Sequence, residues 1–146
     1  MRVADILKVK GDTVVTVRSW TPLRSAIDLL AGPPAIGALV VSDDGHGHVS
    51  GIVAERDIIR GLHRRGASTL EQTVADVMVR GVPVCSPEDP ITKLMATMTR
   101  SRHRHLPVLS DGVLCGIVSI GDVVRHRLDE MQLETAVLRD MYVAGR

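Results

Sequence analysis

Phenylalanine is absent from this chain of 146 residues, and tryptophan and tyrosine occur once each, as Trp20 and Tyr142. Successive nucleic-acid bases therefore have no row of rings to stack on, and a bound base would have to lie between aliphatic side chains. An excess of one charge is also missing. With 18 basic and 17 acidic residues the net charge is +1, so no bulk field draws the chain to DNA or to an anionic membrane. No apolar run approaches the ~20 residues of a membrane span, and Met1-Arg2-Val3-Ala4-Asp5 lacks the apolar stretch of a secretory signal. The expected location is cytoplasmic, with no membrane partner. The two cysteines, Cys85 and Cys115, stand far apart beside strand-like residues, which suits neither a metal-ligand pattern nor a disulfide framework; both read as small apolar fillers. Gly45-His46-Gly47-His48 has no matching Cys, Asp or Glu constellation, so it reads as a hairpin tip and not as a metal site. Neither cysteine sits in a Cys-His arrangement and no serine has the context of a nucleophile elbow. The expectation is a protein without a catalytic set.

What the chain does have is repetition. Val3-Ala4-Asp5-Ile6 returns as Val74-Ala75-Asp76-Val77, Thr21-Pro22-Leu23 as Asp89-Pro90-Ile91, and Gly51-Ile52-Val53 with Asp57-Ile58 as Gly116-Ile117-Val118 with Asp122-Val123. The offset shrinks from 71 residues (3 to 74) through 68 (22 to 90) to 65 (51 to 116), so the two units differ by small changes in loop length. A unit of this size rarely buries its own apolar face; two packed together share a core and leave a cleft between them. The divisions expected are a first repeat over 1–65, a linker over 66–73, a second repeat over 74–127 and a helical extension over 128–146.

Each unit reads β-α-β-β-α. A helical turn around Val3 to Leu7 precedes the β-branched run Thr13-Val14-Val15-Thr16-Val17, a strand signal. Thr21 then caps a helix that has Pro22 at its first position. Leu23, Ala26, Ile27 and Leu30 recur at helical spacing, and Gly32-Pro33-Pro34 stops the helix. In the second unit Asp89 caps, Pro90 begins, and Ile91, Leu94, Met95 and Met98 take the same four positions. The hairpins Ala38–Val41 with Gly51–Val53, and Leu106–Leu109 with Gly116–Val118, each feed another helix. The last helix continues past Arg125 to about Tyr142 with Leu128, Met131, Thr135 and Leu138 on one stripe. That stripe either packs on the chain's own core or meets a partner helix, as across a homodimer.

Chemistry concentrates at the two strand-to-helix junctions. Gly116-Ile117-Val118-Ser119-Ile120-Gly121-Asp122 sets a hydroxyl, a flexible glycine and a carboxylate at a helix start. Unpaired N–H groups and a partial positive charge there favour a phosphate, to which Ser119 could add a hydrogen bond. A nearby Asp suits the vicinal hydroxyls of a ribose. The plainer role for Ser119 or Asp122 is an N-cap. The first copy, Gly51-Ile52-Val53-Ala54-Glu55-Arg56-Asp57, keeps the carboxylate but has Ala54 where the hydroxyl stood, with Arg56 as another source of positive charge. The run Arg100-Ser101-Arg102-His103-Arg104-His105 could neutralise phosphates, Arg102 and Arg104 being best placed; its other reading is a solvated helix end. Arg60, His63, Arg64 and Arg65 read as such an end.

These junctions, together with the strand Arg104-His105-Leu106-Pro107-Val108, resemble the cystathionine β-synthase (CBS) domain family in tandem, over nearly the whole chain from Val3 to about His126. The resemblance implies an α/β (α+β) fold of two β-α-β-β-α repeats about a pseudo-twofold axis, here with an extended C-terminal helix. It also implies two clefts that take AMP, ADP, ATP or related adenosyl ligands; some small stand-alone pairs with a similar C-terminal helix also bind NAD(H). Carried over, Asp57 and Asp122 become ribose acceptors and Ser119 a phosphate donor. Thr13, Val14, Val82 and Pro83 would contact the base, and Ile36, Gly37, Ala38, Arg104, His105, Leu106 and Pro107 would form the facing wall. Ala54 departs from the family's usual Ser or Thr, which weakens phosphate recognition by the first half, so the two sites should be unequal and Asp122→Ala should cost more ligand affinity than Asp57→Ala. The function implied is a non-enzymatic module that binds an adenine nucleotide and signals to an unidentified regulated protein. The alternative is a homodimerisation or docking module with vestigial clefts. Nucleic-acid binding is disfavoured by charge and by the missing aromatics.

Overall fold

A computed structural model describes residues 1–145 of the chain. Val3–Lys10 forms α1 and Thr16–Val17 a short β1. Leu23–Ala31 (α2) leads into a hairpin of Ala38–Val41 (β2) and Gly51–Ala54 (β3), and β3 runs directly into α3, Glu55–Arg65. Two 3-10 turns, Gly66–Glu71 and Val74–Asp76, carry the chain to β4, Val79–Arg80. The second unit continues with α4 (Ile91–Ser101), β5 (His105–Ser110), β6 (Val113–Ser119) and α5 (Ile120–Ala144). The mixed class and repeated architecture expected from the sequence hold, with five α-helices and two sheets among the described residues.

Local chemistry moves some boundaries. Pro22 and Pro90 occupy the N-cap position of α2 and α4 instead of the first helical position. Neither Thr21 nor Asp89 caps its helix as expected. The Thr21 hydroxyl accepts the Arg18 N–H at 3.0 Å, and the Asp89 carboxylate takes the Ser86 N–H at 2.9 Å and the Lys93 ammonium at 2.9 Å. Both side chains tie down the loop before the helix, a use open to any short polar side chain. The expected strand over Thr13–Val17 shrinks to its last two residues.

The first sheet has the order β1-β2-β3-β4: β1 lies parallel to β2 with Val17 opposite Val41, and β4 lies antiparallel to β3 with Val79 opposite Ile52. The second sheet holds only β5 and β6, joined by a parallel bridge from Cys85 to Val108 that corresponds to Val17 beside Val41. Leading segments are exchanged between the units. Val3 and Ile6 of α1 are buried with Ile91, Leu94, Met98, Leu106, Val108 and Val118. Val74, from beyond the linker, is buried with Leu23, Ala26, Leu30, Leu39 and Val53. Each such fully buried aliphatic side chain contributes about 1.5–3 kcal/mol, so neither unit can shed its borrowed segment cheaply. A glycine receives each segment: a Cβ on Gly116 would come within 2.8 Å of Leu7, and one on Gly51 would overlap Val79 and Met78. Ala38, Ile52 and Val82, with Ile117 against them, pack where the units meet.

The exchange is unequal in one respect. At the offset of the leading segments, Val79-Arg80 corresponds to Lys8-Val9. The former pair is extended and completes a sheet, whereas the latter lies in the last turns of α1. At its far end the chain follows the expected C-terminal helix, but the apolar stripe does not pack on the chain's own core: every residue from Met131 to Gly145 is exposed, Leu138 at 67% among them.

Candidate functional site

At the first junction β3 delivers Ala54 as the N-cap of α3. Alanine has no oxygen with which to satisfy the helix, so half of the usual reciprocal cap is missing. The other half is present: the Asp57 carboxylate accepts the Ala54 N–H at 2.8 Å. Asp57 is only 8% exposed, and burial pushes its carboxyl above the ordinary carboxylate value although the Ala54 N–H, Arg60, His103 and Arg56 all oppose the shift. Arg60, on the same helix, approaches it no closer than 3.9 Å. A buried carboxylate without a close counter-ion is costly to keep charged.

A cavity of about 380 Å³ opens beside it. Gly37, Ile52, Val79 and Ala54 supply apolar wall, Glu55, Arg56, Asp57, Ile59 and Arg60 come from α3, and Arg102, His103, Arg104 and His105 come from the second unit. The facing wall exists because α4 ends with Arg102 in the left-handed conformation, φ 59°, which turns the chain back toward β5. Arg56 reaches across to donate to the Arg102 carbonyl at 3.3 Å. Among the described residues, no carboxylate pairs with the guanidinium of Arg56, Arg102 or Arg104. A Cβ on Gly37 would overlap the His105 imidazole, so any larger residue there must displace that ring. Burial pushes the His105 pKa down and Lys10 adds to the effect, while Asp122 and Glu55 pull the other way. One neutral ring thus sits between the charged groups of both junctions.

The second junction is built differently. Ser119 is the N-cap of α5, its hydroxyl accepting the Asp122 N–H at 3.1 Å while the Asp122 carboxylate accepts the Ser119 N–H at 2.8 Å. This is a complete capping box. Lys10, from α1, donates to the Asp122 carboxylate at 2.6 Å and to the Ile117 carbonyl at 2.8 Å. Burial would raise the Asp122 pKa, but the Lys10 ammonium and the Ser119 N–H outweigh it and hold the carboxyl below the ordinary value.

Of the residues singled out from sequence, the cavity brings together Gly37, Arg56, Asp57, Arg104 and His105. Ser119 and Asp122 lie outside its lining, engaged with each other and with Lys10. Val82 and Ala38 are buried at the junction of the units, and Pro83 is half-buried after Val82. Leu106 belongs to the second core, and the Pro107 carbonyl accepts the Cys85 N–H at 3.0 Å. Thr13 is exposed and Val14 half-buried on the way into β1. Arg60, read as part of a solvated helix end, lines the cavity instead. Lys10 was not legible: nothing in its spacing relates it to Asp122. Both cysteines are free; Cys85 is buried as a filler should be, with its thiol pushed up to about 12 by burial. The His48 ring meets Asp44 at the tip of the first hairpin. No helix of the described residues is long and apolar enough to cross a membrane.

Comparison with known proteins places this geometry. The family model described as "CBS domain" matches residues 3–64 and again 74–129. The chain is 32% identical over 149 aligned residues to "CBS domain-containing protein CBSX3, mitochondrial" of Arabidopsis thaliana, covering 98% of this chain and 72% of that protein. It spans between 40% and 56% of the length of four further curated relatives. Among solved structures, the CBS-domain containing protein ATU1752 from Agrobacterium tumefaciens superposes with a TM-score of 0.81 at 41% identity, over 86% of this chain and 92% of that one. The CBS domain pair of protein MJ0100, solved in complex with 5-methylthioadenosine and S-adenosyl-L-methionine, superposes with a TM-score of 0.74 at 25% identity, over 86% and 98% of the two chains.

Proposed function

This chain belongs to the CBS domain family, and from that premise we propose that it is a non-enzymatic regulatory module that binds an anionic adenosine nucleotide in the cleft beside Asp57. AMP, ADP, ATP and NAD(H) are the ligands in view. The observation that carries the reading is the cavity itself: about 380 Å³, walled by both units, with one buried carboxylate and four arginines. That volume lies within the range of small-molecule sites. Asp57 accepts the ribose hydroxyls, Ile52, Val79 and Gly37 enclose the base, and Arg56, Arg60, Arg102 and Arg104 meet the phosphates with planar, bidentate donors. The same arginines oppose a cationic sulfonium ligand of the kind that MJ0100 holds. A ligand that touches both walls binds one relative placement of the units better than others, and a partner protein reads that difference.

Calorimetry with ATP, AMP, NADH and S-adenosylmethionine tests the reading. The three anionic ligands bind, and S-adenosylmethionine binds at least tenfold more weakly; silence from all four at millimolar concentration sinks the nucleotide site. A second reading, a homodimerising or docking module with vestigial clefts, is favoured by the exposed stripe of Leu128, Met131, Leu138 and Met141 on α5. The two are compatible, and we include a homodimer through α5 in the proposal. The compartment we assign is the cytoplasm, where free cysteines such as Cys85 and Cys115 stay reduced; the plant relative is named mitochondrial.

A further inference from the structure

We propose that Lys10 is a built-in occupant of the second cleft, closing it so that the protein takes one nucleotide per chain. The inference rests on the nucleotide reading of the first cleft and goes beyond it by assigning the state of the second. Asp57 and Asp122 hold the same place, each three residues into its helix and each accepting the N–H of its own N-cap residue. What differs is the other side of the carboxylate. At Asp57 that side faces the cavity, the nearest cation being Arg60 at 3.9 Å. At Asp122 it carries the Lys10 ammonium at 2.6 Å, and the same ammonium is anchored to the Ile117 carbonyl at 2.8 Å. Burial does not separate the two, the Asp122 side chain being 13% exposed and that of Asp57 8%; the ion pair does. The Ser119 hydroxyl accepts the Asp122 N–H in capping α5 and keeps its own proton to donate, so the difference between the clefts rests on Lys10.

A lysine in this position does what ligand hydroxyls do, and does it more strongly. Both ribose hydroxyls and an ammonium donate charge-assisted hydrogen bonds to a carboxylate, but with the ammonium both partners are ionised, which adds a direct Coulomb attraction. It is also tethered to the same chain, so it competes at a high effective concentration. The corresponding position in the other leading segment, at the offset of 71 residues from 10 to 81, is Gly81, which has no side chain to extend toward Asp57. The cause lies in backbone conformation. Lys8, Val9 and Lys10 complete α1, while Val79-Arg80 pairs with β3 and Gly81 turns away with φ +65°. One unit therefore keeps an open carboxylate and the other keeps a cation on it.

The test is the number of ATP molecules bound per chain, measured by calorimetry on the wild type, Lys10→Ala, Lys10→Met, Asp57→Ala and the Asp57→Ala/Lys10→Ala pair. Lys10→Met keeps the aliphatic stem and guards against loss of folding in the alanine variant. The expected counts are one for the wild type, two for either Lys10 variant, none for Asp57→Ala and one for the double variant. Lys10 variants that retain the wild-type count, or a wild type that already binds two, overturn the proposal while leaving the first cleft standing. A wild type that binds none while Lys10→Met binds one sinks the Asp57 site and upholds the closed second cleft. Silence from every variant sinks both. A readout free of ligand accompanies these: in a carbon-detected titration the Asp122 carboxyl moves to higher pKa in Lys10→Met, and an unmoved value overturns the contact itself.

Discussion

Replacing Asp57 and Asp122 by asparagine shifts stability in opposite directions, although the two carboxylates hold equivalent places in their units. Asparagine preserves an oxygen that can accept the N-cap N–H, so the cap is kept and only the charge is removed. Both positions lose the same favourable interaction with a helix N-terminus, about 0.3–1 kcal/mol. The remaining contributions differ in sign. Asp57 is buried and its pKa is raised, which means that folding disfavours its charged form. Removing that charge at pH 7 raises stability, the relief of burial being partly offset by the lost helix interaction. Asp122 has its pKa lowered, against the effect of burial, by Lys10 and Ser119. Its asparagine variant loses a charge-assisted bond to a partly exposed lysine and falls by about 1–2 kcal/mol. The pH dependence follows the same signs. The Asp122 contribution is fully present above the ordinary carboxylate value of 3.8 and is lost as pH falls through its lower folded value. The penalty at Asp57 is instead relieved as pH falls through its raised folded value. Urea unfolding followed by far-ultraviolet circular dichroism, at pH 7, pH 4.5 and pH 3, measures both. A loss above 1.5 kcal/mol in Asp57→Asn together with a neutral Asp122→Asn would refute the assignment of one open and one paired carboxylate.

Gly37→Val drives a branched side chain into the space of the His105 ring. ATP affinity falls at least tenfold while the urea midpoint shifts little, since Gly37 is exposed; unchanged affinity would place the ligand elsewhere. Leu138→Glu and Met131→Glu put charge into the exposed stripe of α5 without touching either core. On the proposed homodimer through α5, sedimentation gives a dimer for the wild type and a monomer for both variants; a dimer unaffected by both changes removes α5 from the interface.

The apolar periodicity of Leu23, Ala26 and Leu30, and of Ile91, Leu94 and Met98, was legible because helix faces are a one-dimensional pattern, and all six residues are buried as that pattern requires. The strand-to-helix junctions were legible for the same reason, since Gly-Ile-Val followed by a carboxylate marks a turn and a cap within seven residues. Asp57 and Arg56 could therefore be named from the junction itself, while Arg104 and His105 came from the basic run and the family resemblance and Gly37 from the resemblance alone; all five line one cavity. Less legible were features decided by tertiary pairing. Thr21 and Asp89 had the composition of caps, yet their side chains satisfy the preceding loop, and the distinction turns on a single residue of backbone rotation. Arg60 looked like any basic residue near a helix terminus; its distance from Asp57 depends on where in α3 the cavity opens.

The deepest such feature is the fate of the two leading segments. Val3-Ala4-Asp5 and Val74-Ala75-Asp76 are identical, and both supply a valine to the other unit's core, so sequence suggests that the chain behaves alike after each. It does not, because the continuation is set by what lies beside it. Val79-Arg80 meets the free edge of β3, and two paired residues complete a four-stranded sheet. Lys8-Val9-Lys10 has good helix formers in its two lysines, remains coiled, and places Leu7 over Gly116 instead of pairing with β6. The helical path keeps Lys10 within reach of Asp122; the extended path at 79–81 ends in a glycine. The unlike states of the two clefts thus trace to a choice between helix at Lys8-Val9 and strand at Val79-Arg80, made by sheet-edge pairing in one unit and by helix continuation in the other.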